Sequence, residues 1–290
     1  MQATGYVILD DRGVLALAGP DARGLLQGLV SNDITALGPQ RAIYAALLTP
    51  QGKYLFDFIM FEHDGEILLD VEAARRQELA QRLTMYRLRA KVTIEDRTEV
   101  LAVVAFPGAV GERGEARPFA GGVAAVDPRL SDLGSRAVLP RAGLEAAMAG
   151  YDALPAAAYE ARRLDLGVPV SSSDLVVQKS LLLESNFVEL AGVSFDKGCY
   201  VGQELTARTK YRALVRKRLL PVVVEGSLPA PGTPLMLAGR EAGEMRSGLA
   251  DKGMALVRLE ALGETMPVLE AEGSRVTPQW PAWLGPRPQS

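Results

Sequence analysis

One thiol, that of Cys199, sits two residues after Lys197 and between Gly198 and Gly202, in the run Lys197-Gly198-Cys199-Tyr200-Val201-Gly202-Gln203-Glu204. The residues from Gln203 to Arg208 read as the first turns of a helix, with Glu204 near its positive end. A cysteine just before a helix N-terminus and near an ammonium group has its thiolate favoured, and the thiolate is the form that attacks electrophiles and binds metals. The other fate open to a lone cysteine is that of a small buried hydrophobe. Glycines at 198 and 202 allow backbone angles, or a close approach of ligand, that a Cβ would forbid.

Two carboxylates stand in apolar surroundings. Asp57 is the one charge in Tyr54-Leu55-Phe56-Asp57-Phe58-Ile59-Met60, and strand alternation puts it on a face with Leu55 and Ile59. Burying it costs several kcal/mol unless it is paired or used, on the order of the penalty for any unpaired buried charge. An exposed carboxylate on an edge strand is the alternative. Glu184, in Leu181-Leu182-Leu183-Glu184-Ser185-Asn186, is either an acceptor in a pocket or a solvated helix-end residue. Arg208, Lys210, Arg212, Arg216, Lys217 and Arg218 form a basic run that reads as a solvated face, or as a patch for an anionic tail or a phosphate backbone. Tyr211 is its only aromatic partner, so base stacking has little support and any RNA contact would be weak and electrostatic.

Several chemistries are excluded. The sole histidine, His63, lies at a turn, which argues against a Cys-His or Ser-His-Asp site, and one histidine cannot build an H-E-x-x-H zinc site. Gly52-Lys53 lacks the rest of a phosphate-binding loop. A single cysteine rules out an intramolecular disulfide and a multi-cysteine cluster site within one chain. The net charge of −3 gives no general attraction to nucleic acid or anionic membrane. No apolar run approaches membrane length, and no basic segment followed by an apolar stretch opens the chain, so a cytoplasmic location is expected.

The elements that must position these residues follow from periodicity. Short strands are expected at 6–9, 14–17, 42–48, 54–61, 67–71 and 100–106, with Asp10-Asp11-Arg12-Gly13 turning between the first two. Ala22, Leu25, Leu26 and Leu29 recur at helical spacing after Asp21, and a second helix spans 73–86. Pro107–Gly122, with five glycines and two prolines, reads as an internal boundary. A helix over 156–166 should stop at Gly167, followed by a polar loop at Ser171–Asp174. Beyond Arg218 come short strands at 219–224, 235–237, 254–259 and 267–269, consistent with a small β-barrel. Strands with intermittent helices imply an α+β class.

The octet Lys197–Glu204 resembles, at every position, the signature of the YgfZ family of folate-binding proteins, relatives of the glycine-cleavage aminomethyltransferase that assist iron–sulfur clusters. The similarity extends through Leu9–Gly13, Gly19–Ala22, Leu25–Leu29, Ser31–Asp33, Thr49–Gly52, Gly243–Ser247 and Met254–Arg258, and so covers most of the chain. Leu182 departs from the proline common at that position. The resemblance implies an aminomethyltransferase-like body in two subdomains over 1–212, with the internal boundary near 107–122, and a C-terminal β-barrel over 213–290. It further implies a tetrahydrofolate cofactor contacted by Asp57, Glu184, Tyr200, Gln203 and Glu204, with Cys199 and Lys197 carrying any chemistry. The implied function is support of iron–sulfur enzymes, including those that modify tRNA. The rivals are a true aminomethyltransferase, and a non-catalytic scaffold that uses folate for stability or sensing.

Overall fold

The computed structural model describes residues 5–108, 110–211 and 215–287. In chain order its strands are β1 (Gly5–Ile8), β2 (Arg12–Ala18), β3 (Ile43–Leu48), β4 (Tyr54–His63), β5 (Glu66–Glu72), β6 (Thr93–Asp96), β7 (Leu101–Phe106), β8 (Ala116–Phe119), β9 (Gly122–Val126), β10 (Ser135–Pro140), β11 (Asp152–Ala153), β12 (Lys217–Glu225), β13 (Pro234–Leu237), β14 (Arg240–Leu249), β15 (Lys252–Arg258), β16 (Leu269–Ala271) and β17 (Ser274–Pro278). The helices are α1 (Ala22–Leu29), α2 (Arg76–Arg87), α3 (Leu144–Ala147), α4 (Ala156–Leu166), α5 (Ser171–Asp174) and α6 (Gln203–Tyr211).

The strands form a five-stranded sheet, β3-β4-β5-β2-β6, a six-stranded sheet, β11-β1-β7-β10-β9-β8, and a closed barrel, β12-β15-β14-β13-β16-β17. The class is α+β, as expected. Strand β4 reads as an almost unbroken apolar run because its sheet is covered on both sides. On one side, Leu15, Leu17, Phe58 and Met60 pack with Leu26 and Leu29 of α1 and Leu79 and Leu83 of α2. On the other, Val14, Ala16, Ile59 and Phe61 meet Val103, Ala105, Val123 and Val138 of the six-stranded sheet.

The two sheets are interlaced. β1 and β2 are joined by the expected turn, yet they do not pair: β1 adds to the six-stranded sheet and β2 to the five-stranded one. The Pro107–Gly122 stretch is a correction to the expected internal boundary. Strands on both sides of it, β7 and β9, belong to one sheet, and the stretch itself supplies β8. The passage between sheets falls earlier, between β6 and β7. Glycine marks turns inside a sheet as strongly as turns between sheets, so composition alone misplaced the crossing.

α4 ends at Gly167, which has φ +69, as anticipated. Its Leu164 packs on Leu219 and Met254 of the barrel. Ser171–Asp174 is a turn of helix with Ser171 and Asp174 buried, in place of the expected polar loop. The barrel contains β14 and β17 in addition to the strands expected there. The junction expected at 212/213 lies outside the described residues.

Candidate functional site

The thiol loop is held at both ends. Upstream, the Lys197 Nζ donates to the carbonyl oxygens of Gln27 (2.8 Å), Val30 (2.7 Å) and Asn32 (2.8 Å). These carbonyls lie where α1 ends, the place where helical C=O groups lack intrahelical donors and carry partial negative charge. Burial pulls the Lys197 ammonium down to about 8, against an opposing pull from Asp33. All three ammonium protons are spent on carbonyls, so Lys197 has none left for a thiolate. The role expected of it beside Cys199 is therefore corrected to that of an anchor.

Downstream, Gly202 has φ +82, and a Cβ there would come within 2.5 Å of the Thr49 carbonyl oxygen and 3.0 Å of the Gly52 Cα. The octet thus presses backbone to backbone against the Thr49-Pro50-Gln51-Gly52 turn, a packing that only glycine allows. The Val201 N–H donates to the Gly28 carbonyl at 3.3 Å. Gly198 is different, since a Cβ there would meet nothing within 4 Å. Between the anchors Cys199 is exposed, which removes the buried-hydrophobe alternative. Tyr200 is buried beside it, and burial pushes its hydroxyl up to about 12 against an opposing bond from Thr206. α6 begins at Gln203 as expected, with Gln203 Oε1 accepting from the Tyr200 N–H at 3.4 Å and Glu204 exposed in the first turn.

Asp57 is 5% exposed and lies on a strand with neighbours on both sides, so the exposed-edge alternative falls. Its two oxygens accept from the hydroxyls of Tyr44 (2.9 Å) and Tyr54 (2.7 Å). Burial and the adjacent carboxylate together push both phenols well above their ordinary value. The face assignment needs one correction. Asp57 does share a side with Ile59, but Leu55 packs in the α1/α2 core, because the β3–β4 register shifts at Leu47/Leu48. That irregularity breaks the two-residue alternation and lets Tyr54 and Asp57 point the same way.

Glu184 lies on the segment that runs beside the start of β4, where the Tyr54 N–H donates to Ser180 O at 3.0 Å and the Gln178 N–H donates to Tyr54 O at 2.8 Å. The Leu219 N–H donates to the Glu184 carbonyl at 2.8 Å, tying the segment to the barrel. Half-buried, its carboxyl is raised by desolvation, against the pull of Lys217, Lys53 and Arg218. The end of the basic run is thereby accounted for. Arg218 donates to Leu183 O (3.0 Å) and Asn186 Oδ1 (2.9 Å) and pairs with Glu189 (2.8 Å), so it seals the body–barrel seam. Arg212 lies outside the described residues.

A buried ionic chain between the sheets went unnoticed in the sequence. Arg12 Nε donates to Asp70 Oδ1 (2.6 Å) and Arg136 to Asp70 Oδ2 (2.7 Å). Arg136 (2.5 Å) and Arg129 (2.9 Å) both donate to the Tyr159 hydroxyl, and Arg129 forks onto Asp127 (3.0 and 2.8 Å). Burial pushes Asp70 and Asp127 up, and the guanidiniums more than reverse it, holding both below the usual carboxylate range. The signal available was charge in apolar context, as in Ile67-Leu68-Leu69-Asp70, the same signal that singled out Asp57. A second cluster, Arg163–Asp174 (2.7 Å) with Arg163–Ser247 (2.7 Å), joins α4 and α5 to barrel strand β14.

Comparison with known proteins gives the family. Residues 216–286 match the model of the CAF17 C-terminal beta-barrel domain. The chain is 34% identical to the mitochondrial iron–sulfur cluster assembly factor IBA57 of Mus musculus, over 94% of this chain and 84% of that one. It is also 34% identical to the Homo sapiens protein of the same name, with the same coverage. The fold matches the glycine cleavage system aminomethyltransferase T of Bartonella henselae with a TM-score of 0.78, at 15% identity, over 98% of this chain and 86% of that one. These relatives are named mitochondrial, which overturns the cytoplasmic location expected from the sequence. With an aminomethyltransferase fold, a C-terminal six-stranded barrel and this degree of identity over nearly its whole length, the chain belongs to the family of the IBA57 iron–sulfur cluster assembly factors.

Proposed function

We propose that this chain supports iron–sulfur cluster assembly through the thiol of Cys199, and that its body takes a reduced folate near Glu184. The observation that carries the first part is an exposed thiol on a loop pinned at both ends, by Lys197 and by Gly202. Pinning fixes the thiol in space while leaving its sulfur accessible, as a metal ligand or nucleophile requires. One thiol supplies one ligand, so the remaining ligands of a transferred cluster come from a partner protein. Support for this reading also comes from the names of the relatives.

The folate part rests on a partial fit. Glu184 offers a half-buried carboxylate with raised proton affinity, suited to the amino and N–H donors of a pterin, and Lys53 and Lys217 nearby suit an anionic tail. Asp57 does not fit as a direct contact, because both its oxygens are held by buried tyrosines. Its part is to fix the Tyr44 and Tyr54 rings. Tyr200, Gln203 and Glu204 belong to this reading through the octet alone. A bound tetrahydrofolate would supply a one-carbon carrier.

The test is complementation of cells lacking their own family member, read as activity of an iron–sulfur enzyme. Cys199→Ser should fold and fail to complement. Full complementation by Cys199→Ser would refute the thiol role. Calorimetry with tetrahydrofolate should show binding that weakens in Glu184→Gln, and wild type that binds none at millimolar ligand would refute the folate part separately.

A further inference from the structure

A groove of about 380 Å³ opens beside edge strand β3, and Phe195, Asp196 and Arg113 are among the residues that line it. Arg41 and Lys210 stand at its margins. Three cations therefore face one carboxylate, that of Asp196. Among the described residues none of the three cations lies within ion-pairing distance of a carboxylate. The Lys210 ammonium instead sits 3.5 Å from the centre of the Phe195 ring.

Arg113 is the telling residue. One of its terminal nitrogens donates to the backbone oxygens of Arg129 and Glu189 (2.9 Å for the latter), and its Nε is buried with no partner. Desolvation lowers its proton affinity, and Asp127, the carboxylate that opposes this, is already forked onto Arg129. A guanidinium that is partly desolvated, has no carboxylate partner and keeps one terminal nitrogen without a protein acceptor among the described residues is a receptor for an oxyanion, which it meets through a charge-assisted hydrogen bond.

We propose that this groove is a second binding site, separate from the Glu184 region, for a small soluble molecule carrying two or more oxyanionic groups, carboxylate or phosphate. Arg113 holds one such group, and Arg41 with Lys210 holds the other. The half-buried Phe195 ring takes the organic part between them. The site is independent of the folate reading.

Calorimetry at physiological ionic strength with citrate and, separately, pyrophosphate tests it, and the preferred probe identifies the oxyanion. Wild type should bind at least one of them. Arg113→Gln and Arg41→Gln should each weaken binding about tenfold or more, roughly the worth of one charge-assisted hydrogen bond. Glu184→Gln and the barrel variant Arg240→Gln should bind as wild type does. If Arg113→Gln fails to fold, the exposed Arg41→Gln and Lys210→Gln variants carry the test. No binding of either probe at millimolar concentration, undiminished binding by Arg41→Gln and Lys210→Gln, or equal weakening by Glu184→Gln would overturn the proposal.

Discussion

Replacing Lys197 with methionine separates two roles for this residue. If the ammonium merely stabilised a thiolate, the variant would keep its stability and lose only thiol reactivity. The geometry predicts the reverse. Three charge-assisted bonds to carbonyls at 2.7–2.8 Å disappear. At about 2 kcal/mol each they amount to about 6 kcal/mol. That figure is already net of the ammonium's desolvation, so the loss at neutral pH by urea unfolding is about 6 kcal/mol at most. Cys199 should still alkylate with iodoacetamide, at a rate no slower than in wild type. Lys197→Arg keeps the charge but not the compact ammonium that fits three converging carbonyls, and should lose stability as well. The pH dependence adds a signature. Because the folded value lies below the unfolded one, the folded chain releases this proton first. Wild type should therefore gain on Lys197→Met by up to about 3 kcal/mol as pH rises from about 8 to about 10.5, with a flat difference below 8. A Lys197→Met protein within about 0.5 kcal/mol of wild type that alkylates markedly more slowly would refute the anchor role, since that is the ordinary range for a surface change.

Gly202→Ala should destabilise by more than about 3 kcal/mol or prevent folding, since it places a Cβ against the Thr49 oxygen at positive φ. Gly198→Ala, which meets nothing, should stay within about 0.5 kcal/mol of wild type, and thermal melts of the pair check both. Asp70→Asn should cost about 3–5 kcal/mol by leaving Arg12 and Arg136 buried without their shared carboxylate. Asp70 and Asp127 are held below their unfolded range, so the stability they contribute is present above about pH 4 and is lost as pH falls through their folded values. An acid titration of Asp70→Asn should accordingly show a shallower slope than wild type. Tyr54→Phe should cost about 1–3 kcal/mol by removing one donor from buried Asp57, measured by chemical denaturation.

The sequence by itself determined the local elements, the class and the octet. Apolar periodicity placed α1, β4 and α4, and Gly167 stopped α4 where expected, because helix caps and strand alternation depend on near neighbours. The character change after Arg218 disclosed the barrel, although the alternation of β14 was too interrupted by glycine and charge to be read as a strand. What depends on distant residues was decided only in three dimensions. Nothing local says that β1 and β2, a turn apart, enter different sheets, or that Pro107–Gly122 stays inside one. Asp57 stood out as a buried charge, but its tyrosine partners and the register shift that aims it are properties of strand pairing. Lys197 gives the plainest case. It stands two residues from Cys199 in the chain, but the fold brings the end of α1 to it from about 170 positions away, and three carbonyls outcompete one sulfur.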